Sequence, residues 1–163
     1  MQGLWLANSM ANSYRDHLKQ RVIVGAREYG INSVLFRHAV GARLGVNATD
    51  MECLGVIVFK GLATPSELAK YTGLSSGATT AMLDRLEKSG LIARKPSPND
   101  RRSTHVVIVQ DAAERIAPLF ASLRHAQDKI VSEYAERELL LLADFFEKSI
   151  TMWEEERQKL NDA

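Results

Sequence analysis

Apolar residues recur every three or four positions along most of the chain, and this spacing is typical of amphipathic helices. A run rich in β-branched residues, THVVIV, starts at position 104 and follows a stretch rich in turn-forming residues, so a β-hairpin is expected there. The pattern predicts helices over about 9–45 (with Gly30 as a point of interruption), 50–60, 66–72, 76–89, 111–134 and 136–159, and strands near 91–95 and 104–109. The expected fold is therefore mostly α with a small β-hairpin (α+β).

Residues that cap helices mark several of these boundaries. Thr49 and Glu52 have the spacing of a capping box, in which each side chain binds a free backbone amide of the first turn. Thr64 and Glu67 have the same spacing, with Pro65 at the first helical position, where its missing N–H has no cost. Further boundaries are expected at Asp111 with Glu114, which can open a helix, and at Gly61, Gly73 and Gly90, which can end one.

The stretch TPSELAKYTGLSSGATTAMLDRLEKSGLI has the features of a helix-turn-helix. Leu68 and Ala69 face the interior, and Gly73 supplies the sharp turn after the first helix. Leu74 is expected to fill the space between the two helices. The inward positions of the second helix and the segment after it are Met82, Leu83, Leu86 and Ile92, with Ala78 and Thr79 near the helix–helix contact.

This arrangement leaves small polar residues at the start of the second helix: Ser75, Ser76, Gly77 and Thr80. One interpretation is simple capping, because serine is a good N-cap in any protein. The other is an anion-binding surface, since free amides at a helix N-terminus favour phosphate and short side chains let the helix approach base edges.

The hairpin tip, PSPNDRRS, favours the second interpretation. Turn formation accounts for its prolines, Asn99 and Asp100 but does not require Arg101 and Arg102. These arginines are either part of a solvated loop or a device that reaches an anion. A hairpin directly after a helix-turn-helix forms a winged helix, and an arginine on the wing can enter a narrow minor groove of DNA.

Charge is distributed unevenly along the 163 residues, whose formal net charge is +1. Residues 1–61 and 62–110 each carry about +3, and residues 111–163 carry about −5, so a basic middle precedes an acidic end. No apolar run approaches the roughly 18 residues of a membrane span, and the N-terminus lacks the pattern of a signal peptide. The single Cys53 fits a reducing compartment, so we expect a cytoplasmic protein without a membrane partner.

The segment from about residue 49 to 109 resembles the winged helix-turn-helix of MarR-type (multiple antibiotic resistance regulator) transcriptional repressors. The most specific elements are LDRLEKSGLI and the wing sequence Asp100-Arg101-Arg102-Ser103. The resemblance implies a homodimer that binds double-stranded DNA, with recognition helices in successive major grooves and wings in flanking minor grooves. It also implies three regions: N-terminal dimerisation helices (1–48), a winged helix-turn-helix (49–110) and C-terminal dimerisation helices (111–163).

Carried onto this chain, the resemblance makes Arg102 the minor-groove residue and Arg101 a phosphate contact, with Asp100 bracing the wing through Arg85. The remaining predicted DNA-binding residues are Ser75, Ser76, Ala78, Thr79, Thr80 and Ser103. Two departures stand out. The first turns of the recognition helix lack the Arg, Asn or Gln best suited to base readout, and Pro118 should kink or restart the helix that follows the hairpin.

The flanking helices carry more apolar surface than a small domain normally buries. In the last helix Leu139, Leu142, Phe146, Ile150 and Trp153 keep helical spacing, while Leu140, Leu141, Phe145 and Met152 widen the stripe. We favour a self-complementary dimer interface over an intramolecular core. The resemblance also implies a pocket for a small-molecule effector, for which the candidate residues are His17, Tyr29, His38 and Arg43, although partly buried interface polar groups are the simpler interpretation.

The sequence thus predicts a sequence-specific DNA-binding transcriptional regulator, a ligand-responsive homodimeric repressor. Two alternatives stay open: a winged-helix protein-interaction module that does not bind DNA, and a thiol-based redox sensor that uses Cys53. An inert thiol is favoured over the sensor, because no basic residue near Cys53 in the sequence would lower its pKa. Histidine and cysteine spacings give no support for a metal site, and we expect no catalytic residues, no cofactor and no enzyme activity.

Overall fold

A computed structural model describes residues 2–96 and 104–161, with side chains described for 13–96 and 104–160. The elements in these ranges are α1 (Gln2–Leu44), α2 (Ala48–Lys60), α3 (Pro65–Thr72), α4 (Ser76–Lys88), β1 (Ile92–Pro96), β2 (Thr104–Ile108), α5 (Gln110–Ser132) and α6 (Glu136–Asn161). The mostly helical fold with a small β-hairpin is confirmed.

The hairpin is antiparallel, with Ile92 opposite Ile108 at its base and Pro96 opposite Thr104 at its outer end. A third segment joins it from the loop between α2 and α3. The N–H of Ala63 donates to the carbonyl of Val106 at 3.1 Å, and the N–H of Val106 donates to the carbonyl of Ala63 at 2.7 Å. This bridge ties the outer edge of β2 to the helical part of the domain.

The core lies where α2, α3 and α4 meet the base of the hairpin. Each of these elements turns its apolar stripe inward, as the sequence spacing predicts, and each fully buried Leu or Ile stabilises the fold by about 1.5–3 kcal/mol. The largest fully buried side chains are Leu54, Ile57, Leu68, Met82, Leu83, Leu86, Leu91, Ile92 and Val106.

The capping residues agree with the sequence at α3 and differ at the start of α2. Thr64 and Glu67 form the expected capping box at α3, and Gly73 ends that helix with a left-handed φ of 72°. At α2, however, the N-cap is Asn47, whose side-chain oxygen accepts from the N–H of Asp50 at 2.8 Å. The predicted Thr49–Glu52 capping box is therefore wrong. Asn47 caps the helix by accepting from the N–H of Asp50, and the side chain of Glu52 pairs with Arg37 instead.

Two long helices continue through residues that were expected to interrupt them. α1 passes Gly30 without a break, and α5 runs from Gln110 to Ser132 through Pro118. Of the two effects predicted for that proline, the restart is wrong and the kink stays a prediction. A proline removes one intrahelical hydrogen bond, and here the helical bonds on both sides carry the element across it. Near this point the guanidinium of Arg124 donates to the carbonyl of Ala117 at 3.0 Å.

The chain forms two compact units, residues 1–116 and 117–163. The first contains α1 to α4, the hairpin and the start of α5. The second contains the rest of α5 and α6. Among the described helices, none combines the length and hydropathy that a membrane span needs.

Candidate nucleic-acid interface

The first turn of α4 exposes small side chains in front of free backbone amides. Ser75 is the N-cap, and its hydroxyl accepts from the N–H of Ala78 at 3.3 Å. Ser76, Ala78 and Thr80 are all exposed. The Thr80 hydroxyl donates back to the carbonyl of Ser76 at 3.0 Å, which holds that side chain against the helix. A phosphate or a base edge can therefore approach this turn closely.

Thr79 does not belong to this surface, so its predicted contact with DNA is wrong. The residue is only 2% exposed, and its hydroxyl donates to the carbonyl of Ser75 at 2.9 Å. With 100° between successive helical residues, Thr79 falls on the face that packs into the core with Met82, Leu83 and Leu86.

Arg85, on the third turn of α4, is held by a residue of α2. Its Nη2 donates to Oδ1 of Asp50 at 2.7 Å, and its Nε donates to Oδ2 at 3.4 Å. The hydrogen bond and the negative charge of Asp50 raise the pKa of Arg85. The partner predicted for Arg85, Asp100, lies outside the described residues. In the part of the chain that is described, the arginine braces α4 against the first turn of α2.

A second arginine, Arg94 on β1, connects α4 to the hairpin. Its Nη2 donates to Oδ1 of Asp84 at 2.7 Å, and its Nη1 donates to Oε2 of Glu87 at 2.5 Å. The backbone N–H of Arg94 also donates to the carboxylate of Glu87 at 3.0 Å. This bond lowers the pKa of Glu87 most, and the hydrogen bond from the Arg94 guanidinium lowers it further. The sequence interpretation missed Arg94. The sequence does contain a signal for it, because the cation Arg94 follows a helix that carries two acids, Asp84 and Glu87, one turn apart.

The tip of the hairpin carries the remaining predicted contacts. β1 ends at Pro96 and β2 begins at Thr104, so the tip connects these two points. Its predicted DNA-binding residues, Asp100, Arg101, Arg102 and Ser103, lie outside the described residues and stay predictions.

The four candidate effector residues are not brought together within one chain. His17, Tyr29, His38 and Arg43 are all exposed on α1. Since α1 is a continuous helix and rises 1.5 Å per residue, His17 and Arg43 are about 39 Å apart along its axis. Their assignment to an effector pocket stays a prediction, and these four residues alone cannot enclose one within a single chain. A shallow, open depression in the first unit has other walls: Asn47, Ala48, Thr49, Leu74, Ala78, Ala81 and Arg85.

The thiol of Cys53 is completely buried in α2. Burial, and to a smaller degree the charge of Asp50, raises its pKa to about 12. A thiol of this kind is almost entirely protonated at neutral pH, and the protonated form is a poor nucleophile. This environment argues against the redox-sensor alternative. Elsewhere in the described ranges, His, Cys, Asp and Glu side chains form no cluster of three that could hold a metal ion.

Two helices expose long apolar faces. On α6, none of the described side chains is buried, and Trp153 and Leu141 are each 70% exposed. The other exposed apolar residues of α6 are Leu140, Phe145, Phe146, Ile150, Met152 and Leu160. On α1, the exposed apolar residues extend from Tyr14 to Leu35. Apolar surface of this extent is typical of helices that pack against another chain.

Comparison with known proteins agrees with the fold and the motifs. The MarR family model matches residues 46–104. The chain is 37% identical over 146 residues to the uncharacterized HTH-type transcriptional regulator YcgE of Bacillus subtilis, and the match covers 90% of this chain and 95% of that protein.

Solved structures share the fold at lower identity. The transcriptional regulator Tm0710 of Thermotoga maritima superposes with a TM-score of 0.59 at 24% identity, over 83% of this chain and 96% of that one. A MepR mutant of S. aureus bound to an oligodeoxyribonucleotide superposes with a TM-score of 0.51 at 16% identity, over 78% of this chain and 94% of that one. The winged helix-turn-helix, its family match and the near full-length relative together establish that the chain belongs to the MarR family of transcriptional regulators.

Proposed function

We propose that this protein is a homodimeric repressor that binds a specific duplex DNA sequence and releases it when a small molecule binds. The observation that carries the proposal is the first turn of α4, where Ser75, Ser76 and Thr80 are exposed in front of free amides. In a helix-turn-helix the N-terminal residues of the recognition helix contact base edges in the major groove, and small side chains there let the helix approach closely.

In this proposal α4 is the recognition helix. The small side chains of its first turn bring the backbone amides within reach of a phosphate, and their hydroxyls and methyl groups face the base edges. The hairpin is the wing, with Arg102 in the minor groove and Arg101 on a phosphate. Since the exposed residues of the first turns include no Arg, Asn or Gln, DNA shape contributes much of the specificity.

The proposed dimer forms through the helices that flank the winged domain. The exposed apolar faces of α1 and α6 support this assignment, because a monomer would leave Trp153 and Leu141 in water. Two-fold symmetry would present two copies of α4 to half-sites about one helical turn apart. The proposed division of labour is dimerisation by residues 1–48 and 111–163 and DNA binding by residues 49–110.

The proposed effector acts by shifting a population between two spacings of the recognition helices. A ligand can do this only if its affinity differs between the two spacings. Because His17, Tyr29, His38 and Arg43 are distributed along α1, a pocket that uses any of them must be completed by other elements or by the second chain. The proposed setting is the cytoplasm, and no catalytic step is part of the proposal.

Fluorescence anisotropy tests the proposal. The labelled duplex is the region upstream of the protein's own gene, with excess random DNA as competitor and a salt titration. We expect tight binding that survives the competitor. The Arg102→Ala variant should bind more weakly. It should also reduce the slope of log K against log salt by about 1, because one cation that lies close to the DNA phosphates is lost. Lys148→Ala, which removes an exposed cation of α6, is the matched control.

The absence of binding to any duplex at low salt would overturn the proposal and favour a winged-helix module that binds protein. A second measurement with the same duplex then screens small molecules for release, which tests the effector separately from DNA binding.

A further inference from the structure

The contacts of Arg94 form a clamp between the hairpin and α4, defined here as Arg94, Thr80, Asp84 and Glu87. The three α4 residues lie on successive turns of one face, spread over about 10 Å of the helix axis, and their acceptor atoms converge on the guanidinium. Besides the two carboxylates, Nη2 of Arg94 reaches the carbonyl of Thr80 at 3.4 Å. The side chain of Arg94 is only 26% exposed, while those of Asp84 and Glu87 are 63% and 40% exposed.

The clamp also uses the backbone of β1. Arg94 lies opposite Val106 in the hairpin, and its N–H donates to Glu87 rather than across the sheet. Val106 is in turn bonded to Ala63 on its far side. The hairpin is therefore held at both edges at the same level, on one side by Ala63 and on the other by Glu87. Beyond this level only Lys95 and Pro96 precede the tip.

Thr80 and the clamp acids share one helix, so the same element carries the exposed first turn and the anchor of the wing. We propose that Arg94 is a positioning residue for DNA binding, which sets the position of the wing relative to the recognition helix by holding β1 to Asp84 and Glu87. The inference rests on the proposed function of α4 and the hairpin. A preformed angle between them lowers the cost of ordering the wing when DNA binds.

A direct contact between Arg94 and a phosphate is the competing explanation, and the two explanations make opposite predictions for the acids. If Arg94 acts through a phosphate, removal of Asp84 and Glu87 frees the guanidinium and takes away two negative charges, so DNA should bind more tightly. If Arg94 acts as a clamp, the same change loosens the wing and DNA should bind more weakly although the protein becomes more positive.

The experiment measures duplex affinity of the full chain for Arg94→Ala, for the double variant Asp84→Ala/Glu87→Ala and for the triple variant. Alanine keeps the helical propensity of α4. We expect about tenfold weaker binding for Arg94→Ala and for the double variant, with no further loss in the triple variant, because all three remove the same coupling. Asp144→Asn, which removes an exposed acid paired with Lys148 on α6, should leave affinity unchanged.

Hydrogen exchange of the DNA-free protein supplies a second readout. The hairpin amides over 92–96 and 104–108 should exchange faster in the Arg94→Ala and double variants, while those of α2 and α3 keep their protection. Tighter DNA binding by the double variant, or unchanged exchange in the hairpin, would overturn the clamp. If the unchanged protein binds no duplex, the proposed function fails, and the exchange measurement still decides whether Arg94 holds the hairpin.

Discussion

Arg85 and Asp50, which are 35 positions apart in the sequence, form a two-point ion pair between α4 and the first turn of α2. The pair is asymmetric. The side chain of Asp50 is 6% exposed and that of Arg85 is 53% exposed. The carboxylate thus depends on the arginine for charge compensation, whereas the arginine is largely solvated on its own.

This asymmetry predicts unequal effects of the two single substitutions. Arg85→Ala leaves a buried carboxylate without its cation and should lower Tm by roughly 5 °C, more than Asp50→Asn, which leaves the arginine in water. Thermal unfolding followed by circular dichroism measures both. Lys60→Ala, from the exposed Lys60–Glu67 pair, is the control and should change Tm very little. Equal losses for Arg85→Ala and Asp50→Asn would contradict the asymmetry.

Substitutions of two adjacent serines at the start of α4, Ser75 and Ser76, should affect protein stability and DNA binding differently. Ser75→Ala removes the N-cap and should destabilise the protein by about 1 kcal/mol as well as weaken DNA binding. Ser76→Ala leaves the cap in place and should weaken DNA binding alone. Denaturant unfolding and anisotropy on both variants test this expectation, and a stability loss of the same size in Ser76→Ala would be inconsistent with it.

Cys53 should behave as an inert core residue. In the folded protein its thiol should not react with Ellman's reagent at pH 8 and should react once the protein is unfolded. Hydrogen peroxide at concentrations that oxidise exposed thiols should leave DNA binding unchanged. Rapid modification in the native state would restore the redox-sensor alternative.

The raised pKa of Cys53 also predicts a pH dependence. Its ordinary value is 9.0 and its value in the fold is about 12, so the neutral thiol is favoured in the folded state. The stabilisation is fully present below pH 9 and is lost as the pH rises towards 12. The Cys53→Ala variant should lack this component, so the difference in unfolding free energy between the two proteins should change only over that alkaline range.

Substitution of Trp153 tests the proposed dimer directly. The residue lies near the middle of the exposed apolar face of α6, and Trp153→Glu should convert the dimer to a monomer, because a charge would be buried at the centre of the interface. Size-exclusion chromatography with light scattering gives the mass. Thr151→Glu places the same charge on the opposite, polar side of α6 and should leave the dimer intact. A monomeric mass for the unchanged protein would contradict the proposal.

Local sequence signals predicted the elements well. The apolar spacing of α2 and α4, the capping box at Thr64 and the turn at Gly73 all depend on residues within a few positions of one another. The same signals were less reliable where two local solutions compete. At α2 both Asn47 and Thr49 can cap, and sequence alone does not rank them, because the choice depends on where the preceding loop brings the chain.

The candidate surface was predicted in outline and corrected in detail. The exposed positions Ser76, Ala78 and Thr80 follow from helical periodicity, and the same periodicity places Thr79 on the apolar face with Met82, Leu83 and Leu86. The structure buries Thr79 to 2% exposure, so a small polar residue at this position is part of the core and not of the exposed turn. The four candidate effector residues rest on the family resemblance, and their spacing distributes them along one helix instead of bringing them together.

Residues that are neighbours in the chain are enough to predict which segments are helices, where the hairpin lies and which turn of α4 is small and polar. The pairing of charges depends instead on the fold. Arg85 binds Asp50 and Arg94 binds Asp84 and Glu87 because packing of the core brings α2, α4 and β1 to a common surface. A salt bridge between separate elements depends on their relative placement, and that placement is set by the burial of apolar side chains throughout the domain.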